Sequence, residues 1–269
     1  ANKNTKIILL AGPSSTGKTT TTNKLTLCLK SLGKNPKMLS MDDFFVDRKD
    51  TPKDENGELD YERLETVDLN LFEQTIESLL SNQETILPTF NFILGEKEYR
   101  EKMIMQEDDI LLIEGIHALN PKVLEHIPKE KKATIYLSAL TELNVDNHTR
   151  ISTTDNRLLR RIVRDNRTRG NNVEETLKSW PKVRNGEENY IFPYQDEADY
   201  TFNTAMIYEL GVLKTFVEPL LYSVEPTSPY YNDAIRLINF LRLFLPISSE
   251  TIPKDSILRE FIGGGCFKV

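Results

Sequence analysis

A run near the start of the chain carries the plainest chemistry: Gly12, Pro13, Ser14, Ser15, Thr16, Gly17, Lys18 and Thr19 fit the Walker A pattern GxxxxGK[ST] without a gap. Such a loop needs glycines so that its backbone N–H groups can turn inward around phosphate oxygens. Lys18 would reach the β- and γ-phosphates as a point charge, and the Thr19 hydroxyl would ligate a magnesium ion. With Thr20 next in line, residues 12–20 predict a site for ATP and Mg2+. The elements that must position this loop are present. Residues 6–11 are a short apolar run of strand length, and residues 19–32 carry Leu25, Leu27, Cys28, Leu29 and Leu32 at helical spacing. A helix N-terminus directly after the loop adds roughly half an elementary charge of positive potential. A glycine-rich turn that binds nothing would lack both flanks.

Carboxylates come next. A second strand, expected over residues 37–41, runs into Asp42 and Asp43. Ligands gather at the carboxyl ends of strands in open α/β sheets, so Asp42 is a candidate base for a transfer to a hydroxyl, and Asp43 stands beside it. An aspartate that caps a turn explains the position equally well. Residues 109–117 hold the continuous apolar run Ile110, Leu111, Leu112 and Ile113, the mark of a strand buried on both faces, and Glu114 follows at once. That is where a Walker B carboxylate would hold magnesium, directly or through water. A further strand is expected over residues 133–137.

Arginine is concentrated at 155–170, as Arg157, Arg160, Arg161, Arg164, Arg167 and Arg169. At helical spacing the first four of these share a face opposite Leu158, Leu159, Ile162 and Val163. Three explanations compete: a solvated charged face, a nucleic-acid contact, and an arginine lid over transferring phosphates. The Walker A motif upstream favours the lid.

Between these groups, residues 46–65 are polar and turn-rich, as expected of a binding loop or a solvated excursion. Residues 68–80 form an amphipathic helix with Asp68 as N-cap. Residues 86–105 read as a hairpin turning at 94–97, which places Phe90 and Phe92 on one face, either to stack on a planar ligand or to fill the core. Residues 207–222 and 231–245 are apolar helical patterns, for the core or for a homo-oligomer surface, with core the favoured reading. Pro253 and Gly263 to Gly265 give residues 248–269 the look of an extended arm.

The chain of 269 residues, with net charge −7 and pI near 5.2, is an ordinary acidic protein whose overall field argues against a nucleic-acid partner. Its cysteines, Cys28 and Cys266, make no disulfide framework and suit a reducing cytoplasm. No apolar run approaches the ~18 residues that span a bilayer. The chain opens on Ala1 just before its first strand, which leads us to expect a piece of a longer protein.

Taken together, the series GxxxxGKT, SMDDFF, PTFNF, LLIEGIH and RLLRRIVRDNRTRG resembles the uridine kinase and phosphoribulokinase family of P-loop kinases, most of all its nucleoside-kinase branch. Order and spacing agree from residue 6 to residue 204. The resemblance implies an α/β fold of three α/β/α layers around a mainly parallel sheet, with a small β-hairpin lid and C-terminal helices. It implies a kinase domain over 1–205, followed by a helical extension over 206–269. It makes Asp42 the base that takes the hydroxyl proton, close to the magnesium that Glu114 helps to hold. Arg164 and Arg169 would touch phosphates, and Arg161 would face the acceptor. Glu62 would grip ribose hydroxyls, while Asp43, Phe90 and Phe92 line the acceptor side. The acceptor would be a nucleoside or related polyol. The departures lie elsewhere. Phe45 and Phe90 stand where uridine kinases carry tyrosine, Gly95 where they carry a histidine near the hairpin turn, and Asn171 where a further arginine follows the lid glycine. They leave the transfer machinery whole and fall on the parts that read the base. The match is nearest to long bacterial nucleoside-kinase-like proteins, in which this region follows another domain.

Overall fold

The computed structural model describes residues 4–55, 57–92 and 94–267. The chain divides into two compact units. One holds residues up to 12, 22–136 and 185–201; the other holds 13–21, 137–184 and 202–269.

In the first unit a parallel sheet forms from β1 (Ile7–Ala11), β2 (Asn35–Ser40), β5 (Asp109–Glu114) and β6 (Lys132–Ser138), with β2 and β5 neighbours and β1 between β5 and β6. β7 (Tyr200–Asn203) completes the order β2-β5-β1-β6-β7. The continuous apolar run of β5 is buried along its length, as a central parallel strand requires. Register puts Leu10, Glu114 and Ser40 side by side at the carboxyl ends of their strands. Helix α1 (Lys18–Ser31) follows the phosphate loop, and α2 (Leu69–Leu80) starts at Asp68, whose side chain accepts the Leu71 N–H at 3.1 Å. Ile7, Leu9, Leu39, Phe44, Phe72, Ile76, Leu111 and Ile113 belong to the core of this unit.

The hairpin pairs β3 (Thr85–Asn91) with β4 (Glu96–Met103). Glu96 and Lys97, expected in the turn, already belong to β4, and the register shifts between Leu87 and Pro88, where proline cannot donate to the ladder. Residues 46–65 are not structureless. A 3-10 turn at Arg48–Asp50, a bridge between Lys53 and Leu59 and the buried side chains of Thr51 and Leu64 shape them.

In the second unit α3 (Thr153–Arg169) runs from an N-cap at Ser152 to Gly170, whose φ of 70° ends the helix in the left-handed region. α5 (Glu209–Leu221), α6 (Tyr231–Leu241) and the short α7 (Arg259–Ile262) follow in this unit, and α4 (Val173–Tyr190) is shared, its residues from 185 on belonging to the first unit. The apolar faces of α3, α5 and α6 merge in one core with Val212, Leu213, Leu237, Leu241 and Phe261. The tail is therefore not the extended arm its glycines suggested: Ile252, Ile257, Leu258, Phe261 and Ile262 are buried in that same core. No described helix is long and apolar enough to cross a membrane.

Candidate active site

The phosphate loop bends through two left-handed residues, Ser15 at φ 62° and Gly17 at φ 82°. Glycine accepts that conformation freely, and serine only where neighbours enforce it. The neighbours are arginines of α3. Arg157 Nε donates to the Ser14 carbonyl at 2.9 Å, Arg160 Nη1 to the Ser15 carbonyl at 3.2 Å, and Arg161 Nη1 to Ser14 Oγ at 2.8 Å. Within the loop Thr16 Oγ1 donates to Pro13 O at 2.9 Å, as does Lys18 Nζ at 3.4 Å. The Thr21 hydroxyl closes on Gly17 O at 2.7 Å. The loop carbonyls are thus tied to cations and hydroxyls. The Ser15 hydroxyl, buried and without a hydrogen-bond partner among the described residues, is a donor that a phosphate oxygen can take. A triphosphate therefore fits the donor set.

The arginine helix is divided along its length. Arg157 and Arg160 are core residues, the first lying over Trp180 at 5.5 Å and the second over Phe261 at 4.9 Å, so a solvated charged face is excluded for them. Arg161, Arg164 and Arg169 gather instead on the buried carboxylate of Asp165, with nitrogen–oxygen distances of 3.2, 2.7 and 3.6 Å. Three guanidiniums on one carboxylate leave a positive excess suited to phosphate. Sequence reasoning missed the loop-holding role of Arg157 and Arg160, because spacing alone puts them on the same face as Arg161 and Arg164.

Glu260 was missed as well. Its Oε2 accepts the Thr20 N–H at 3.0 Å, across 240 residues of chain, and no local signal in the tail announces it.

In the first unit Ser40 links the two carboxylate positions. Its Oγ donates to Glu114 Oε1 at 2.8 Å and accepts the Asp42 N–H at 3.3 Å, the latter as cap of the 3-10 turn Met41–Phe44. That turn fixes Asp42 and Asp43 at the end of β2. Gly115 is required beside Glu114, since a Cβ there would meet Met41 Cβ at 2.7 Å. Asp43 Oδ1 accepts the Phe90 N–H at 3.2 Å and ties the turn to β3. Burial pushes the Asp43 carboxyl above its ordinary range; the Phe90 N–H opposes this and the neighbouring Asp42 charge adds to it. A magnesium ion takes carboxylate and hydroxyl oxygens; in the first unit Asp42 and Glu114 are carboxylates of that kind, and in the second unit Thr19 carries such a hydroxyl.

Phe90 is 5% exposed and Phe92 56%, so the pair divides between core and surface. Phe45 packs edge-on to both, at 5.7 and 6.0 Å between ring centroids, and at a tilt to Tyr61 at 6.2 Å. Glu62 sits against α4: a Cβ on Gly186 would lie 2.3 Å from Glu62 Cβ.

Residues 7–209 match the Phosphoribulokinase / Uridine kinase family. The uridine kinase of Staphylococcus haemolyticus (strain JCSC1435) is 28% identical over 198 residues, covering 73% of this chain and 86% of that relative. The uridine kinase of Staphylococcus aureus (strain JH9) is 28% identical over 199 residues, with the same 73% and 86% coverage. Among solved structures, a Silicibacter sp. TM1040 protein provisionally described as a fructose transport system kinase superposes with TM-score 0.51 at 18% identity, covering 74% of this chain and 90% of that one. The phosphoribulokinase of Rhodobacter spheroides gives TM-score 0.50 at 16% identity, with 75% and 70% covered. What these structures share with the chain is the fold, a mainly parallel sheet with flanking helices.

Proposed function

The chain belongs to the Phosphoribulokinase / Uridine kinase family, and from that premise we propose that it transfers the γ-phosphoryl group of ATP to a hydroxyl of a nucleoside, with magnesium. Kinase activity and the use of ATP follow from the family; the acceptor is the step beyond it. Lys18, the loop of residues 12–20 and the Arg157 and Arg160 that hold its carbonyls serve the donor. Arg164 and Arg169 meet the charge that develops on the transferring group, and Arg161 faces the acceptor. Asp42 takes the acceptor hydroxyl proton as the oxygen bonds to the γ-phosphorus and the bond to the bridging oxygen of ADP breaks. When bound, magnesium neutralises charge on the β- and γ-phosphates, and Thr19, Glu114 and Asp42 are the residues that would hold it. Glu62 grips hydroxyls of the acceptor, and Asp43, Phe90 and Phe92 shape its surroundings.

The observation that carries this reading is the Ser40 bridge, which sets Asp42 in a fixed turn at the same sheet end as Glu114. Purified protein with ATP, magnesium and a panel of nucleosides should form a monophosphate. Asp42→Asn should lower that turnover by about 10²–10⁴-fold. No product across the panel, or full activity in the variant, overturns the reading.

A second reading has its own support. The aromatic cluster of Phe45, Phe90 and Phe92 offers rings without the hydroxyls that read a pyrimidine, and favours a smaller polyol such as a sugar phosphate as acceptor. Sugars and sugar phosphates added to the same panel separate the two.

A further inference from the structure

Residues 210–269 lie beyond the family match, yet their end reaches the phosphate loop. Thr20 is the third residue of α1, and its N–H is among those that a helix leaves without an intrahelical partner. In a phosphate loop these are the groups that cradle the α- and β-phosphates. Here the Thr20 N–H is taken by the Glu260 carboxylate at 3.0 Å, from a side chain only 8% exposed. Nearby, Ile257 Cγ2 stands 2.4 Å from the point a Cβ on Gly17 would occupy, so the tail fills the space that this glycine leaves. The turn that presents Glu260 is fastened. Arg167 donates to the carbonyls of Glu260 and Phe261 at 2.9 and 3.1 Å, and Phe261 is fully buried beneath Arg160.

We propose that Glu260 sets the affinity of the donor site: its carboxylate holds the Thr20 N–H, and the α-phosphate of the donor must take that N–H from it. The inference rests on the donor reading given above. One amide proton serves one strong anionic acceptor at a time, and two anions at one helix N-terminus repel each other. The side chain can swing aside about its own torsions while the fastened backbone stays. Donor affinity is then set by a residue of the extension, outside the part of the chain that matches the family.

The test is calorimetric titration of Mg-ATP into the full chain and its Glu260→Gln and Glu260→Ala variants. Gln keeps a weaker, neutral acceptor and Ala keeps none, so affinity should rise in the order parent, Gln, Ala, with Ala about tenfold tighter than the parent. Thermal melting gives the second readout. Without ATP the Ala variant should melt lower than the parent, because the helix has lost a cap, and ATP should raise its Tm by more. A Glu260 that serves only the fold would lower stability and leave affinity equal or weaker in both variants, which overturns the proposal. If the parent binds ATP and the variants match it, the inference alone fails. If no form binds ATP, the donor reading fails and takes the inference with it.

Discussion

Replacing Arg160 by methionine should cost the fold about 3 kcal/mol, and its partners show why. Arg160 is 0% exposed; its Nη2 meets Glu209 Oε2 at 2.5 Å and the Thr204 carbonyl at 3.0 Å, while Nη1 reaches Ser15 O at 3.2 Å. Methionine of similar length preserves much of the packing over Phe261 but leaves Glu209, itself 2% exposed, as a buried carboxylate without its cation. Breaking a buried pair at one side costs about 3–5 kcal/mol. Glu209 still accepts the Met206 N–H at 3.0 Å and a hydrogen bond from the Asn156 amide, which places the cost at the lower end. Glu209→Gln keeps an acceptor for Met206 and removes the charge. Combined with Arg160→Met it should recover about 2 kcal/mol of the loss, because no uncompensated charge then remains. The assay is urea unfolding of the parent, both single variants and the double variant, with midpoint and slope fitted together. A cost of less than about 1 kcal/mol for Arg160→Met, or single-variant costs that simply add in the double, refutes the reasoning.

Asp43→Asn should stabilise the protein at neutral pH and lose that advantage in acid. Its carboxyl titrates above the ordinary value of 3.8 in the folded chain, so the native state binds more protons than the unfolded state across that window and stability falls as pH rises through it. Melting curves of parent and variant at about pH 4 and about pH 7.5 check this, and an equal difference at both refutes it. Gly186→Ala should gain about 1 kcal/mol from helix propensity if the site were open. Since its Cβ would meet Glu62 Cβ at 2.3 Å, steady-state kinetics should instead show a raised acceptor KM, about tenfold, with the ATP KM unchanged. An unchanged acceptor KM separates Glu62 from acceptor binding.

What could be read from the sequence was what local chemistry decides. The strand, loop and helix over residues 7–31 and the Asp68 cap each rest on residues a few positions apart. What could not be read depended on distant partners. Arg157 and Arg160 share a helical face with Arg161 and Arg164, and only Trp180 and Phe261 decide which half of that face is covered. The tail was misread for a related reason. A helix as short as Arg259–Ile262 shows no period, and its flanking Pro253 and glycines mimic an open arm, although Ile257 and Phe261 are core. α4 carries Pro181 and Gly186 in its interior, two breakers that hide a helix of 18 residues. In the first unit the Ser40 link to Glu114 follows from strand register, which spacing along one chain segment cannot supply.

The phosphate loop itself shows why these distant contacts matter. A serine at φ 62° costs of order 1 kcal/mol or more in isolation, so a loop left to itself would relax away from that shape. Arg157 and Arg160 hold the adjoining carbonyls through guanidiniums that packing has already immobilised, and Glu260 holds the amide at the start of α1. The loop is therefore shaped before any donor arrives, and binding need not supply the ordering free energy. The two kinds of restraint act in opposite directions on affinity. Arg157 and Arg160 engage carbonyls, which a phosphate does not use, whereas the Glu260 carboxylate on the Thr20 amide occupies a position that one phosphate needs. Removing the first should weaken donor binding and removing the second should strengthen it, although both variants lose stability. That divergence distinguishes a loop tuned through its supports from one that is merely propped in place.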